Sequence, residues 1–166
     1  MKTAALVLTL LAFLHSWAVT GDAARQESEY YVAAYAQHYG VPVEFVRALV
    51  EQESGWQRCV KSSKGAVGLM QLMPDTARRL NVHDRCDIKQ NVSGGIRHLA
   101  RLMAKFHGDL RLVAAAYYAG ERVIEARGLQ YANRDVVVYV ASIRARVERQ
   151  REFGSMRVRS ISRSTQ

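Results

Sequence analysis

Residues 43–74 read VEFVRALVEQESGWQRCVKSSKGAVGLMQLMP. Phe45, Val46, Leu49 and Val50 recur at the three-and-four spacing of a helix that buries one face. Pro42 suits the first turn of that helix, where a missing N–H costs nothing. Glu53 stands four positions after Leu49 and seven after Val46, so it extends the apolar stripe, while Glu44 and Glu51 point elsewhere. A carboxylate at the end of a buried stripe is costly unless it is neutral or paired. Desolvation raises its pKa, which is the condition for a general acid at neutral pH. A glutamate at a helix end that simply reaches water has the same signature, so position alone leaves both readings open.

Outward from this stretch, helix signals recur and strand signals are weak. Residues 27–38 predict a first helix, ended by Gly40 in a left-handed cap. Gly65 to Gly68 reads as a loop, and Pro74 opens a short helix through Leu80. Residues 91–106 place Ile96, Leu99, Met103 and Phe106 on one helical face, and Gly108 ends it. Asp109 is a good cap for a helix over 110–119, and Gly120 and Gly128 mark further breaks. Residues 135–152 carry Val136, Val140, Ile143 and Val147 at helix spacing. The Val136-Val137-Val138 run also has strand propensity, but length and the downstream period favour helix. No internal repeat is present. The fold class is mainly α.

The chain has 166 residues, enough for one domain and some tail. It is 49% apolar and 23% charged, which excludes a disordered or collagen-like chain. Two cysteines exclude a disulfide-framework miniprotein and a four-cysteine zinc site. Lys and Arg number 24 against 15 Asp and Glu, a net charge of +9 that asks for an anionic partner. Nucleic acid, a membrane surface and an acidic polymer all qualify, and composition does not choose among them.

Residues 1–18 choose the compartment. Met1-Lys2 is a short positive start, residues 3–14 are almost wholly apolar, and Ser16 and Ala18 are small residues before a cut after Ala18. This is a secretory signal peptide, with cuts after Gly21 or Ala23 as alternatives. The run is shorter than the ~20 residues that span a bilayer, and a short membrane anchor is the competing reading. In an oxidising compartment Cys59 and Cys86 are expected to pair. Closing a loop of 27 positions would stabilise the fold by roughly 3–4 kcal/mol; two buried free thiols are the alternative. The histidines do not recur at ligand spacing near either cysteine, so no metal is expected. The folded domain is assigned to 27–148. Residues 149–166 hold Arg149, Arg151, Arg157, Arg159 and Arg163 against Glu152 alone, and read as a disordered basic tail.

The stretch around Glu53 carries a further signal. Glu53-Ser54-Gly55-Trp56 is followed by a basic, serine-containing loop and then by Gly65-Ala66-Val67-Gly68-Leu69-Met70-Gln71-Leu72-Met73-Pro74. Ala115-Ala116-Tyr117-Tyr118-Ala119-Gly120 forms a third block, and Tyr139-Val140 with Ile143 a fourth. Together these resemble the soluble-lytic-transglycosylase family of the lysozyme superfamily, over about residues 31–147. Two departures stand out: Tyr118 replaces the family's asparagine, and the Glu-Thr pair that usually precedes the late tyrosine is not evident.

The resemblance implies a goose-type, lysozyme-like helical domain with a substrate groove. It implies cleavage of the bond between N-acetylmuramic acid and N-acetylglucosamine in peptidoglycan, with 1,6-anhydromuramyl ends and without cofactor or metal. Glu53 would be the catalytic acid and then base. Ser62 would hydrogen-bond near it, and Gly68 would let the backbone approach the sugar. Gln71 would contact an acetamido or hydroxyl group. Met70 and Met73 would offer apolar surface or serve as core. Tyr117 and Tyr139 would bond the acid or line the groove, and Tyr118 would alter the substrate contacts. No second carboxylate stands out: Asp75 suits a helix start, and Asp84 and Asp87 flank Cys86 in a turn-forming stretch. The family also implies a periplasmic setting in a Gram-negative bacterium, with local wall opening for a secretion, pilus or conjugation complex; the basic tail would dock such a complex, or peptidoglycan and other anionic polymers, with a merely solvated tail as the alternative. A goose-type muramidase that uses water, and a catalytically weak peptidoglycan-binding assembly protein, are the alternatives. Nucleic-acid binding has no recognition-helix or stacking signature here.

Overall fold

Seven helices and one 3₁₀ turn make up the described part of the chain, and each boundary has a local cause. The computed structural model describes residues 22–131 and 133–164. Helix α1 covers residues 22–39, starting five positions before the expected first residue. Gly40 ends it with a positive φ of 66°, and the Val41 N–H closes onto the Ala36 carbonyl at 2.9 Å. Helix α2 is Val43–Ser54, so Pro42 caps the helix from one position outside its first turn. Helix α3 is Pro74–Arg79, opened by its proline. Helix α4 is Ile88–Lys105; the Asp87 carboxylate accepts the Gln90 N–H at 2.7 Å and starts it three residues earlier than the apolar period suggests. Helix α5 is Leu110–Ala119, capped by Asp109 as expected. Helix α6, Glu121–Arg127, and a 3₁₀ turn, Gly128–Gln130, fill the interval between the two glycine breaks.

Helix α7 is Arg134–Ser164 and runs on without a break past Arg149. The basic segment from Arg149 to Ser164 lies on this helix. Arg, Gln, Glu and Met are good helix formers, and a helix nucleated by a buried stripe extends at small cost per residue. The leader read in residues 1–18 lies outside the described residues, and the alternative cuts after Gly21 and Ala23 border the start of α1. Among the described residues no helix is long and apolar enough to cross a membrane.

The core forms around α2, whose Val46, Leu49 and Val50 are fully buried. Ile96, Leu99 and Leu102 of α4 and Val113 to Ala116 of α5 close it from one side. Helix α7 packs across both α2 and α5, burying Val136, Tyr139, Ile143 and Val147 at three-and-four spacing. No strand is formed among the described residues. Isolated bridges of Lys61 with Val67 and of Val67 with Leu72 shape the loop between α2 and α3. A disulfide joins Cys59 to Cys86, with Cα atoms 4.7 Å apart, and ties the start of that loop to the approach to α4.

Candidate active site

Helix α2 stops one residue after Glu53, and its ending fixes the carboxylate. Ser54 Oγ donates to the Val50 carbonyl at 3.0 Å and accepts the Trp56 N–H at 3.1 Å. Gly55 turns left-handed, with φ 56°, and its N–H bonds the Glu51 carbonyl. The stripe therefore carries Glu53 to the edge of the core and no further. The Tyr139 hydroxyl of α7 donates a hydrogen bond to Glu53 Oε1. Tyr118 stacks on Tyr139, ring centroids 4.7 Å apart, and is itself 46% exposed. Alongside, Ser142 donates to Gln52 Oε1 at 2.6 Å, so α2 and α7 are held in register beside the acid.

Burial is the leading influence on Glu53 and pushes its pKa up to about 7, against the opposing pull of the Tyr139 hydrogen bond. No ion pair reaches Glu53 among the described residues. The carboxyl is therefore about half protonated near neutrality, and can give a proton and take one back. Burial, with the charge of Glu53 second, raises the Tyr117 and Tyr139 phenols well above their ordinary value, so both stay protonated donors.

The loop between α2 and α3 is built from within. The Ala66 N–H donates to Ser62 Oγ at 3.0 Å, which assigns the Ser62 acceptor to the loop itself. Gln71 takes a left-handed φ of 46°, and its Nε2 donates to the carbonyls of Val60 at 3.0 Å and Gly68 at 2.9 Å. With both amide hydrogens engaged, Oε1 is the part of Gln71 left for a ligand. At Gly68 the need for glycine comes from the protein's own packing. Its φ is 88°, and a Cβ there would lie 2.2 Å from both the Arg85 carbonyl oxygen and Asn91 Nδ2. The protein itself fills the space that a side chain would need. Met70 is wholly buried and packs against Gly95, so it belongs to the core. Met73 is 42% exposed and does present surface. Tyr117 donates to the Met70 carbonyl at 2.7 Å, bracing the loop from α5.

Two contributors were not among the sequence candidates. Asn91 is fully buried; its Oδ1 accepts the Met70 N–H at 2.8 Å, and its Nδ2 donates to the carbonyls of Val67 at 3.0 Å and Arg85 at 2.8 Å. Arg85 in turn donates to the carbonyls of Gly65 at 2.8 Å and Leu72 at 3.0 Å. The signal for Asn91 was present: it lies four before Gly95 and three after Ile88 on the apolar face of α4, a polar residue on a buried stripe like Glu53. The three other acids considered are engaged elsewhere: Asp75 pairs with Arg78, Asp84 accepts the Cys86 N–H, and Asp87 caps α4. Among the described residues no group of His, Cys, Asp or Glu is arranged to hold a metal ion.

Comparison with known proteins places the chain among murein transglycosylases. The membrane-bound lytic murein transglycosylase F 1 of Alkalilimnicola ehrlichii is 36% identical over 91 residues, which are 51% of this chain and 18% of that protein. The membrane-bound lytic murein transglycosylase F of Vibrio cholerae is 37% identical over 91 residues, 51% of this chain and 17% of its own length. The chain thus spans less than a fifth of the length of these curated relatives. Among solved structures, the 70-kDa soluble lytic transglycosylase of Escherichia coli superposes with a TM-score of 0.64 at 24% identity, covering 74% of this chain and 24% of that one. That likeness gives the fold, which is lysozyme-like and helical. The family model for the transglycosylase SLT domain matches residues 30–136, a stretch that holds Glu53, the Gln71 loop and the Tyr117 block, and the chain belongs to that family.

Proposed function

We propose that the chain is an exported lytic transglycosylase that cleaves peptidoglycan between N-acetylmuramic acid and N-acetylglucosamine, with Glu53 as its catalytic residue. One observation carries the reading: a carboxyl at the end of a buried stripe, pushed up to about 7 by burial and held by Tyr139. Protonated Glu53 gives its proton to the glycosidic oxygen as the C1–O4 bond breaks, a step worth roughly 10²–10⁴ in rate. The departing N-acetylglucosamine keeps that proton on its 4-hydroxyl. Most glycosidases then need a second carboxylate, as nucleophile or as base for water. Here the substrate's own N-acetyl group steadies the positive charge at C1. Ionised Glu53 takes the proton of the muramyl 6-hydroxyl, O6 closes on C1, and a 1,6-anhydro end results. Glu53 ends as it began and water is not consumed.

A pKa near 7 suits a group that must be acid in one step and base in the next. The Tyr139 hydroxyl donates to the ionised form and limits how far burial raises it. Gln71 Oε1, the exposed edge of Met73 and the Tyr118 ring are the surfaces offered to the sugars. Tyr118 supplies a stacking face where the family carries an amide, so it exchanges a directional contact for an apolar one. Ser62 keeps a hydroxyl proton to donate toward the acid or the sugar. Residues 1–18 would export the chain to the periplasm, and the basic helical extension after Arg149 would dock a secretion, pilus or conjugation complex that must pass the wall.

Mass spectrometry of muropeptides released from purified sacculi tests the reading. Anhydromuramyl ends from the wild type, and none from Glu53→Gln, are expected. Reducing ends would point instead to a water-using muramidase. Equal release by Glu53→Gln would remove Glu53 from the mechanism.

A further inference from the structure

Beside the Glu53 site lies a cleft of about 730 Å³, bounded by α3, α4 and the turn from α5 into α6. Tyr117 joins the two: it lines the cleft, and its hydroxyl braces the Met70 carbonyl next to Gln71. The walls are basic. Arg79, Arg101, Lys105 and Arg122 line the cleft against Glu121 and Glu125. The ion pairs decide which of these charges are available. Glu121 binds both Arg101 and Lys105, and is pulled down to about 2 by them. Lys105 also binds Glu125 at 2.9 Å. Two cations thus neutralise two carboxylates. Arg79 and Arg122 have no carboxylate partner among the described residues; Arg79 donates only to Thr76 Oγ1.

His98 adds an uncharged ring. Its ring lies 5.6 Å from that of Tyr117, and Arg101 Nη2 is 3.5 Å from its Nδ1. Burial, with the charge of Arg101 second, pulls the ring down to about 4, which keeps it uncharged at neutral pH. The cleft therefore presents an excess of two positive charges beside an uncharged imidazole.

We infer that this cleft receives the stem peptide of the strand being cleaved, with Arg79 and Arg122 binding its carboxylates. The inference rests on the peptidoglycan reading above. A strand whose muramyl residue sits at Glu53 carries its peptide on the lactyl group of that sugar or of a neighbouring one, and the peptide's carboxylates match the two unpaired guanidinium groups. Arg79 and Arg122 are thus specificity residues for acidic, peptide-bearing strands and stand apart from bond cleavage.

The test compares two forms of one substrate: strands with native stem peptides, and the same strands with the peptide carboxylates converted to methylamides. Wild type should show a KM about tenfold lower for the native strands, with kcat similar for both, and the preference should shrink in about 0.5 M salt. The double variant Arg79→Gln with Arg122→Gln should lose that preference by a rise in KM for native strands alone. Equal KM for both strands in wild type, or equal damage to both in the double variant, would overturn the inference while leaving the transglycosylase reading intact. Cleavage of neither strand by wild type would defeat the transglycosylase reading instead. Binding then decides the cleft: a GlcNAc–MurNAc-dipeptide should bind the Glu53→Gln protein about tenfold more tightly than its diamide, and equal binding would overturn the inference.

Discussion

Glu53→Gln should stabilise the protein in a pH-dependent way, because the same burial that makes Glu53 an acid makes its ionised form a liability. The pKa stands near 7 in the folded chain against 4.5 ordinarily. The sign follows from linkage: a group whose pKa rises on folding contributes stability that is complete below the ordinary pKa and is lost as pH rises through the folded one. At pH 4 both states hold the proton and the substitution changes little. By pH 8 the folded state has been forced to carry a partly buried charge. A shift of this size corresponds to about 3 kcal/mol, and allowing for partial solvent access leaves about 2–3 kcal/mol. Glutamine has no charge to desolvate, and its carbonyl still accepts the Tyr139 hydroxyl. Urea denaturation of both proteins at pH 4 and pH 8 reads the difference directly. The variant should be more stable by about 2–3 kcal/mol at pH 8, which is on the order of 10 °C in Tm, and level with wild type at pH 4. A variant that is less stable at pH 8, or whose advantage does not change with pH, would refute the reasoning.

Tyr139→Phe removes the hydrogen bond that opposes the upward shift of Glu53. The alkaline limb of the kcat/KM profile should therefore move to higher pH, as a pH–rate series on solubilised strands would show. Asn91→Ala leaves the Met70 N–H and the carbonyls of Val67 and Arg85 without their partner. It should cost about 2–4 kcal/mol by denaturant titration, with activity falling alongside as the Gln71 loop loosens. Replacing Cys59 and Cys86 by serine should cost roughly 3–4 kcal/mol, seen as a lower melting temperature that added reductant does not lower further.

The parts of the site that were legible in sequence are those set by local periodicity. Glu53 could be found because Val46, Leu49 and Val50 fix its direction within one helix. Asn91 obeys the same rule on α4, yet its meaning depends on a loop that folds back over it, and only the structure shows that Met70, Val67 and Arg85 converge on its amide. The Tyr139–Glu53 bond joins residues 86 positions apart and depends on how α7 crosses α2, which no local pattern encodes. Gln71 was picked out by the resemblance alone, which does not say which of its amide atoms the loop backbone engages. Helix α6 buries Ile124 alone, so it has no apolar stripe to announce it. Composition described the charge of the last residues, and it does not reach their backbone, since Arg-rich sequence is compatible with a helix once α7 is under way.

The most direct test of the account is the titration of the Glu53 side-chain carboxyl itself, by ¹³C NMR of the labelled protein with Glu53→Gln identifying the resonance. The account predicts a midpoint near 7, set by burial against the Tyr139 hydrogen bond. A midpoint near the ordinary 4.5 would mean a solvated helix-end glutamate, and would contradict the claim that the fold holds this residue as an acid.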